Sequence, residues 1–595
     1  AELAVFYGVG NHGGGPTEAN LRSIAELDAR DDGTRLRLSS LRAFFDAVAG
    51  EDVPVWRGDL QYHAPGCYTT HSGIKRWNRR AENLLQRAEK WSVVADALGL
   101  QPYPLHELSE AWRLLLFNQF HDTLAGTSIE PAYVDARDQI GHASSLAALA
   151  FNRAVQSIAG QVEVPYDEGT RPVLVFNPHP WRLRADVELE FNWLTEEGVR
   201  LTDAEGREVP LQLTRSLTTM SGNRARLVFP ADVPALGYRL YTIRPGTAAR
   251  GAVAAGETTL ENAHLLLELD PGTGRIARLV HKASGADLAA PDAAHAVVVD
   301  DVSDTWGHEV TSYDDVVGEF GSATVTLVEN GPVRAKLRVE TSYGGSTLRE
   351  DYVLGADAAY VDVNVALDWR ERLKLLKLRY PTSVLEPRAT FETPYGHLER
   401  EPNGHEDPGQ SWVDVSGGGR GLAVIDDAKA GYDVLGADIG VSVVRSPVWA
   451  WHDPRELEEG GDFEYMDQGR QRFRVRLVPH GGDWREAGVV RLAAELNQPP
   501  YPLLESFHEG PLPAERSFAD DGGGPVVVTV LKGAEDGSGY VLRGYETAGR
   551  DAEARIELPL LGRTLDLRFV ANEIKTVLVP RDPAQPVRET DLLER

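Results

Sequence analysis

Between Ser72 and Ile158 the apolar residues recur at helical spacing, and from Pro172 onward they recur at every second position. That change of period divides the chain, because a helical stripe buries itself best against other helices and an alternating one in a sheet. The first predicted helix, which Thr70 or Ser72 can cap, carries Trp77, Ala81, Leu84, Ala88, Trp91 and Ala95 on one face. A second carries Leu105, Leu108, Trp112, Leu115 and Leu116 and is expected to end near Ala125-Gly126. Ser128 with Pro131 opens a third, from about Pro131 to Ile158. Three helices with short connections predict an antiparallel bundle over 63–162. The basic cluster Lys75, Arg76, Arg79 and Arg80 reads as a solvated or ion-paired face.

Beyond the bundle, Val173–Pro178, Asp186–Phe191, Ala225–Phe229 and Tyr238–Ile243 predict a small β-sandwich over 170–246. Gly246–Gly256 reads as a linker, 257–498 as a large β-sandwich, and Asn497–Pro502 as a boundary before a last β domain over 503–595. Ahead of the bundle, Ala1–Gly8 reads as a buried strand. A glycine-rich loop, Gly8–Thr17, and a helix over Glu18–Ala29 follow it. With Arg35–Leu38 extended and Leu41–Ala49 helical, residues 1–62 predict the last part of an α/β domain, so that the chain begins mid-domain. The loop lacks the Lys-Ser/Thr pair and glycine spacing of a phosphate site. The fold class is therefore multidomain α+β: an α/β remnant, a three-helix bundle, then several β-sandwiches.

A net charge of -29 over 595 residues argues against nucleic acid or an anionic membrane as partner, since both require a cationic footprint. The single cysteine, Cys67, forms no intramolecular disulfide and reads as a packed or idle thiol. No apolar run approaches the roughly 20 residues of a membrane helix, and a cytoplasmic location is expected. A homo-oligomer is a common outcome for a soluble chain of this size.

His121 and Asp122 end the predicted second helix. A histidine there is more often a capping or core residue than a ligand, although the C-terminal helix field favours a cation. Several stretches narrow the reading: Gly8–Thr17, Cys67-Tyr68-Thr69-Thr70, Asn118-Gln119-Phe120-His121-Asp122, Val175–Pro178, Ser303–His308 and Pro394–Arg400. In their order and spacing the chain resembles the C-terminal half or more of a glycoside hydrolase family 38 α-mannosidase.

The resemblance implies a retaining exo-α-mannosidase acting on mannose-containing glycans, oligosaccharides or glycosides. One divalent metal, usually zinc, is held by an early His-x-Asp pair, a nucleophilic Asp and a later His. By match to the motif, His121 is that last ligand and Asp122 hydrogen-bonds mannose hydroxyls. No His-x-Asp-Pro-Gly-Trp stretch precedes His121; the nucleophile and the acid/base are expected before Ala1, and this chain alone is expected to bind metal poorly and hydrolyse nothing. A non-catalytic carbohydrate-binding or scaffold protein is the alternative. His405-Glu406-Asp407 reads as a loop rather than a metal site, and Asp314-Asp315 and Glu399–Glu401 as solvated charge. A further reading, a sugar site on a mutarotase-like large sandwich, would use Trp306, His308, His397 and Glu399, residue types that in β loops are mostly structural.

Overall fold

The computed structural model describes residues 2–9, 14–30, 33–50, 52, 54–56, 64–192, 198–218, 224–248 and 253–595, which divide into two compact units at Gln61/Tyr62. In the first unit, α1 (Glu18–Asp28) starts at a capping box between Thr17 and Asn20, and α2 (Leu41–Val48) at the N-cap Ser40. The strand expected over Ala1–Gly8 does not form: Leu3, Val5 and Phe6 are exposed, and among the described residues of this unit no strand lies beside them to complete a ladder. Residues 10–13 of the glycine-rich loop lie outside the described residues.

The second unit opens on the bundle. Helix α3 (Ser72–Ala97) buries Ala81, Leu85, Ala88, Trp91 and Ala95. Its cap is neither Thr70 nor Ser72 but His71, whose Nδ1 accepts the Ile74 N–H at 3.1 Å. Helix α4 (Leu105–Phe117) stops eight residues short of the expected end, the chain breaks at Asn118–Phe120, and a single turn, α5 (His121–Leu124), follows. The long α6 (Glu130–Ala159) packs its alanine-rich stripe, Ala136, Ala143, Ala147, Ala150 and Ala154, into the same core.

Two sheets make the small sandwich. Strand Arg171–Asn177 lies between Gly237–Pro245 and Tyr501–Leu504, and Leu183–Phe191 pairs with Ala225–Val233 in the facing sheet. The stretch expected as a boundary at 497–502 thus supplies an edge strand, and Glu515–Ser517 adds another. In the large sandwich a nine-stranded antiparallel sheet, from Gly321–Asn330 across to Gly396–Arg400, faces six- and five-stranded sheets over Val298, Leu337, Tyr352, Trp369 and Tyr432. Of the linker over Gly246–Gly256, residues 249–252 lie outside the described residues and Ala254–Ala255 form a short strand.

The last strands do not stand apart. Val526, Val528, Ile556 and Phe569 share one core with the bundle, where Trp91 meets Phe176 and Phe518 edge to face. Among the described residues no helix is long and apolar enough to cross a membrane.

Candidate functional site

The break after α4 is built by two amides. Asn118 turns back to donate to the Leu114 carbonyl and across to Gln139 Oε1, both at 2.8 Å. Gln119 Nε2 reaches α3, at 2.9 Å from Asn78 Oδ1 and 2.8 Å from Glu82 Oε1. With these side chains directed inward, Phe120 and His121 face solvent. His121 opens the turn α5, so the C-terminal helix field expected to favour a cation there is absent.

Four donors surround the Asp122 carbonyl: Thr127 N–H at 3.2 Å and its hydroxyl at 3.3 Å, the Ser128 hydroxyl at 3.1 Å and the Tyr133 hydroxyl at 3.2 Å. Lys75 closes the other end, donating to the carbonyls of Thr70, Leu124 and Ala125 at 2.6, 2.9 and 3.2 Å. Burial lowers its ammonium to about 8. Lys75 is therefore a clamp on carbonyls and not part of a solvated face, and Arg79 likewise turns inward to the carbonyl of Lys429 at 2.8 Å and to Asp426. Gly126 completes the turn with φ +92°; a Cβ there would lie 2.1 Å from the Thr70 carbonyl oxygen.

On this fixed backbone the two side chains stay open. His121 is 68% exposed and Asp122 43%, with Nε2 and Oδ2 3.4 Å apart. Among the described residues no group of three His, Cys, Asp or Glu side chains can hold a metal, whereas a zinc site draws on three or four protein ligands. His121 and Asp122 are a partial donor set that does not by itself fit a metal.

The large sandwich reaches the same segment. Arg445, fully buried, pairs with Asp301, donates to the Asp304 carbonyl at 2.6 Å, and through Nη1 to Thr70 Oγ1 at 2.8 Å and the Thr305 carbonyl at 3.0 Å. Gly66 and Gly307 touch backbone to backbone beside it: a Cβ on Gly307 would lie 2.7 Å from the Gly66 N. Next to Gly66 in the chain, Cys67 is half-buried, and burial raises its thiol to about 11, an inert group. In the adjoining loop Asp304 Oδ2 holds His308 Nδ1 at 2.8 Å and the Asp453 N–H at 2.9 Å, and Trp306, His308 and His452 group around it. Although burial works the other way, the N–H groups of Asp453 and His308 and the His308 ring hold the Asp304 carboxyl below its usual range.

His397 lies elsewhere, edge-on to Trp484, with Glu399 exposed two residues along the same strand, Gly396–Arg400. His405-Glu406-Asp407 is no loop but part of strand Asn403–Pro408, where Glu406 is buried against Lys377 at 2.8 Å. Asp314 and Asp315 are exposed. The sequence marks His121 and Asp122 by their motif; it does not mark His71, Tyr133 or Arg445, since His71 stacks on Tyr133 and Arg445 reaches Thr70 only through the fold.

Three family models match the chain: the alpha mannosidase middle domain over residues 61–158, the glycosyl hydrolases family 38 C-terminal domain over 260–455, and that family's C-terminal beta sandwich domain over 525–595. The chain belongs to glycosyl hydrolase family 38. Within family 38 it is 30% identical to human Alpha-mannosidase 2C1 over 94% of this chain and 52% of that protein, and 24% identical to Alpha-mannosidase G of Dictyostelium discoideum over 92% and 53%. It spans about half the length of these curated relatives. The crystal structure of an alpha-mannosidase from Enterococcus faecalis has the same fold, with TM-score 0.79 at 15% identity over 94% of this chain and 74% of that one. The match over 61–158 includes the Asn118–Asp122 stretch.

Proposed function

We propose that this chain is part of an α-mannosidase that hydrolyses terminal α-mannosyl residues of glycans, oligosaccharides or glycosides. The observation that carries the reading is the His121–Asp122 pair, held open on a turn fixed by Lys75, Tyr133 and Gly126 in a family 38 chain. In this reading Asp122 accepts hydrogen bonds from mannose hydroxyls, and His121 contributes one ligand of a divalent metal, zinc by family resemblance. Retention requires two carboxyls about 5 Å apart, one a nucleophile and one an acid/base. Neither is assigned to the described residues.

The test is aryl α-mannoside hydrolysis by this chain and by a form completed to the relatives' length, with and without chelator. The completed form is expected to be active, to lose activity with chelator, and to lose it in His121→Ala and Asp122→Asn; this chain alone is expected to be inactive. Chelator-insensitive hydrolysis, or an unaffected His121→Ala enzyme, would overturn the assignment. The partial donor set favours a second reading, a carbohydrate-binding protein without catalysis. Mannoside binding without turnover by the completed form would select it.

A further inference from the structure

Behind the His121–Asp122 turn lies a second concavity. The Tyr133 ring stacks on His71 at 3.9 Å and 16°, while its hydroxyl donates to the Asp122 carbonyl, so this one side chain separates the turn from a bowl of about 790 Å³. The bowl lies between the start of α3 and the loop over 447–468. Its aromatic lining is Trp77, Trp449, Phe463 and Tyr465, with His71 edge-on to Trp449 at 5.4 Å and to Trp77 at 5.7 Å, and the Arg372 guanidinium covers one face of the Tyr465 ring at 5.1 Å. Burial pulls the His71 imidazole down to about 4, so at neutral pH it is an uncharged ring. Around it stand carboxylates, amides and guanidiniums, among them Glu464, Asp467, Gln471, Arg76, Arg372 and Arg470.

Two of these groups are preset. The Ser72 N–H donates to Asp467 at 3.0 Å, and the single Ser72 hydroxyl proton has two acceptors in reach, Asp467 Oδ1 at 3.0 Å and Gln471 Oε1 at 2.8 Å. Four non-glycine residues in left-handed conformation belong to this bowl or to its immediate flanks: His71 at φ 52°, Leu373 at 48°, Ala450 at 50° and Asp467 at 55°. Backbone held in this sparsely populated region gathers at binding sites.

A pyranose presents C–H groups on its faces and hydroxyls around its edge. A bowl with indole and phenol walls and a rim of mixed hydrogen-bonding groups complements both, and its volume falls within the roughly 300–1,000 Å³ of small-ligand sites. We propose that the bowl lined by Trp77, Trp449 and Tyr465 binds a hexose unit of an oligosaccharide, as a carbohydrate subsite distinct from the His121–Asp122 turn. The choice of mannose as the sugar rests on the function proposed above; the site itself does not need hydrolysis or metal.

The probe is an α-linked mannotriose added to this chain in excess chelator, read by calorimetry and by hydrogen exchange. Saturable binding is expected, with amide protection over 71–77 and 447–468. Tyr465→Ala should weaken it about tenfold, a loss of one aromatic contact, whereas His121→Ala should change it less than twofold. Absence of saturable binding, protection confined to 118–128, or loss of binding in His121→Ala would each overturn the proposal. The exchange map is read on the unsubstituted chain and does not depend on a variant folding. An active completed enzyme whose His121→Ala form keeps its hydrolysis would instead sink the assignment at His121 and leave the bowl's protection pattern in place.

Discussion

Arg445 Nη1 donates to Thr70 Oγ1 at 2.8 Å, across 375 residues of sequence, and both groups are buried. This bond joins the large sandwich to the segment that enters the helical bundle, and it passes through the Thr70 carbonyl to Lys75 and the turn that carries His121. Replacing Arg445 by Met leaves Asp301 as a buried charge without its partner. A loss of about 3–5 kcal/mol is expected, read from urea unfolding, with part of it recovered on adding Asp301→Asn. A midpoint unchanged by the single substitution would show that Arg445 does not lock the two parts.

Gly126→Ala tests the tightness of the turn. The added Cβ meets the Thr70 carbonyl oxygen at 2.1 Å in a backbone at φ +92°, so steric overlap and left-handed strain add. A destabilisation of about 2–4 kcal/mol is expected in thermal unfolding. A melting temperature equal to that of the parent chain would mean that the turn relaxes freely.

His121→Ala should separate stability from function. With the side chain 68% exposed and no buried partner to strand, the unfolding free energy is expected to move by less than about 0.5 kcal/mol. Mannoside hydrolysis by the completed form is expected to be lost. A large stability change would mark His121 as a structural residue.

Lys90 gives a pH dependence. It is buried in α3, where the Pro178 carbonyl at 3.3 Å and Gln498 Oε1 at 3.5 Å accept from it, and burial lowers its ammonium to about 8. At pH 7 it is charged in both folded and unfolded chains, so the burial penalty is fully present. As pH rises from about 8 towards the ordinary 10.5, the folded state loses its proton first and the penalty fades. Lys90→Met is therefore expected to be more stable than the parent by about 1–2 kcal/mol at pH 7, with the gap closing towards pH 10. Urea midpoints at both pH values check this; a constant gap would refute it.

The legible parts of this protein are those fixed by short-range pattern. The stripe on α3 and the small-residue face of α6 follow from 3.6-residue spacing. The small-sandwich strands follow from alternation broken by Pro, Asn and Gly. The early stop of α4 was not legible, because no Gly or Pro interrupts the sequence between Leu114 and Ala125, and it is the contacts of Asn118 and Gln119 with other helices that divert the chain. Nor was the cap of α3: Thr70 and Ser72 are good cap residues by type, but Thr70 is occupied by Arg445 and Ser72 by Asp467, and the position falls to His71 in a left-handed conformation.

The sequence by itself determined the helices of the bundle and the alternating strands, since each depends on residues within a few turns of one another. Only the tertiary structure decided that the His121–Asp122 pair is held open on a fixed turn, that the edge strand Tyr501–Leu504 returns to Arg171–Asn177, and that the last strands share a core with α3. Those outcomes rest on buried polar groups finding partners dozens to hundreds of residues away, Lys75 with Leu124 and Arg445 with Thr70. A buried donor must be satisfied wherever the fold brings an acceptor. No local period records where that will be.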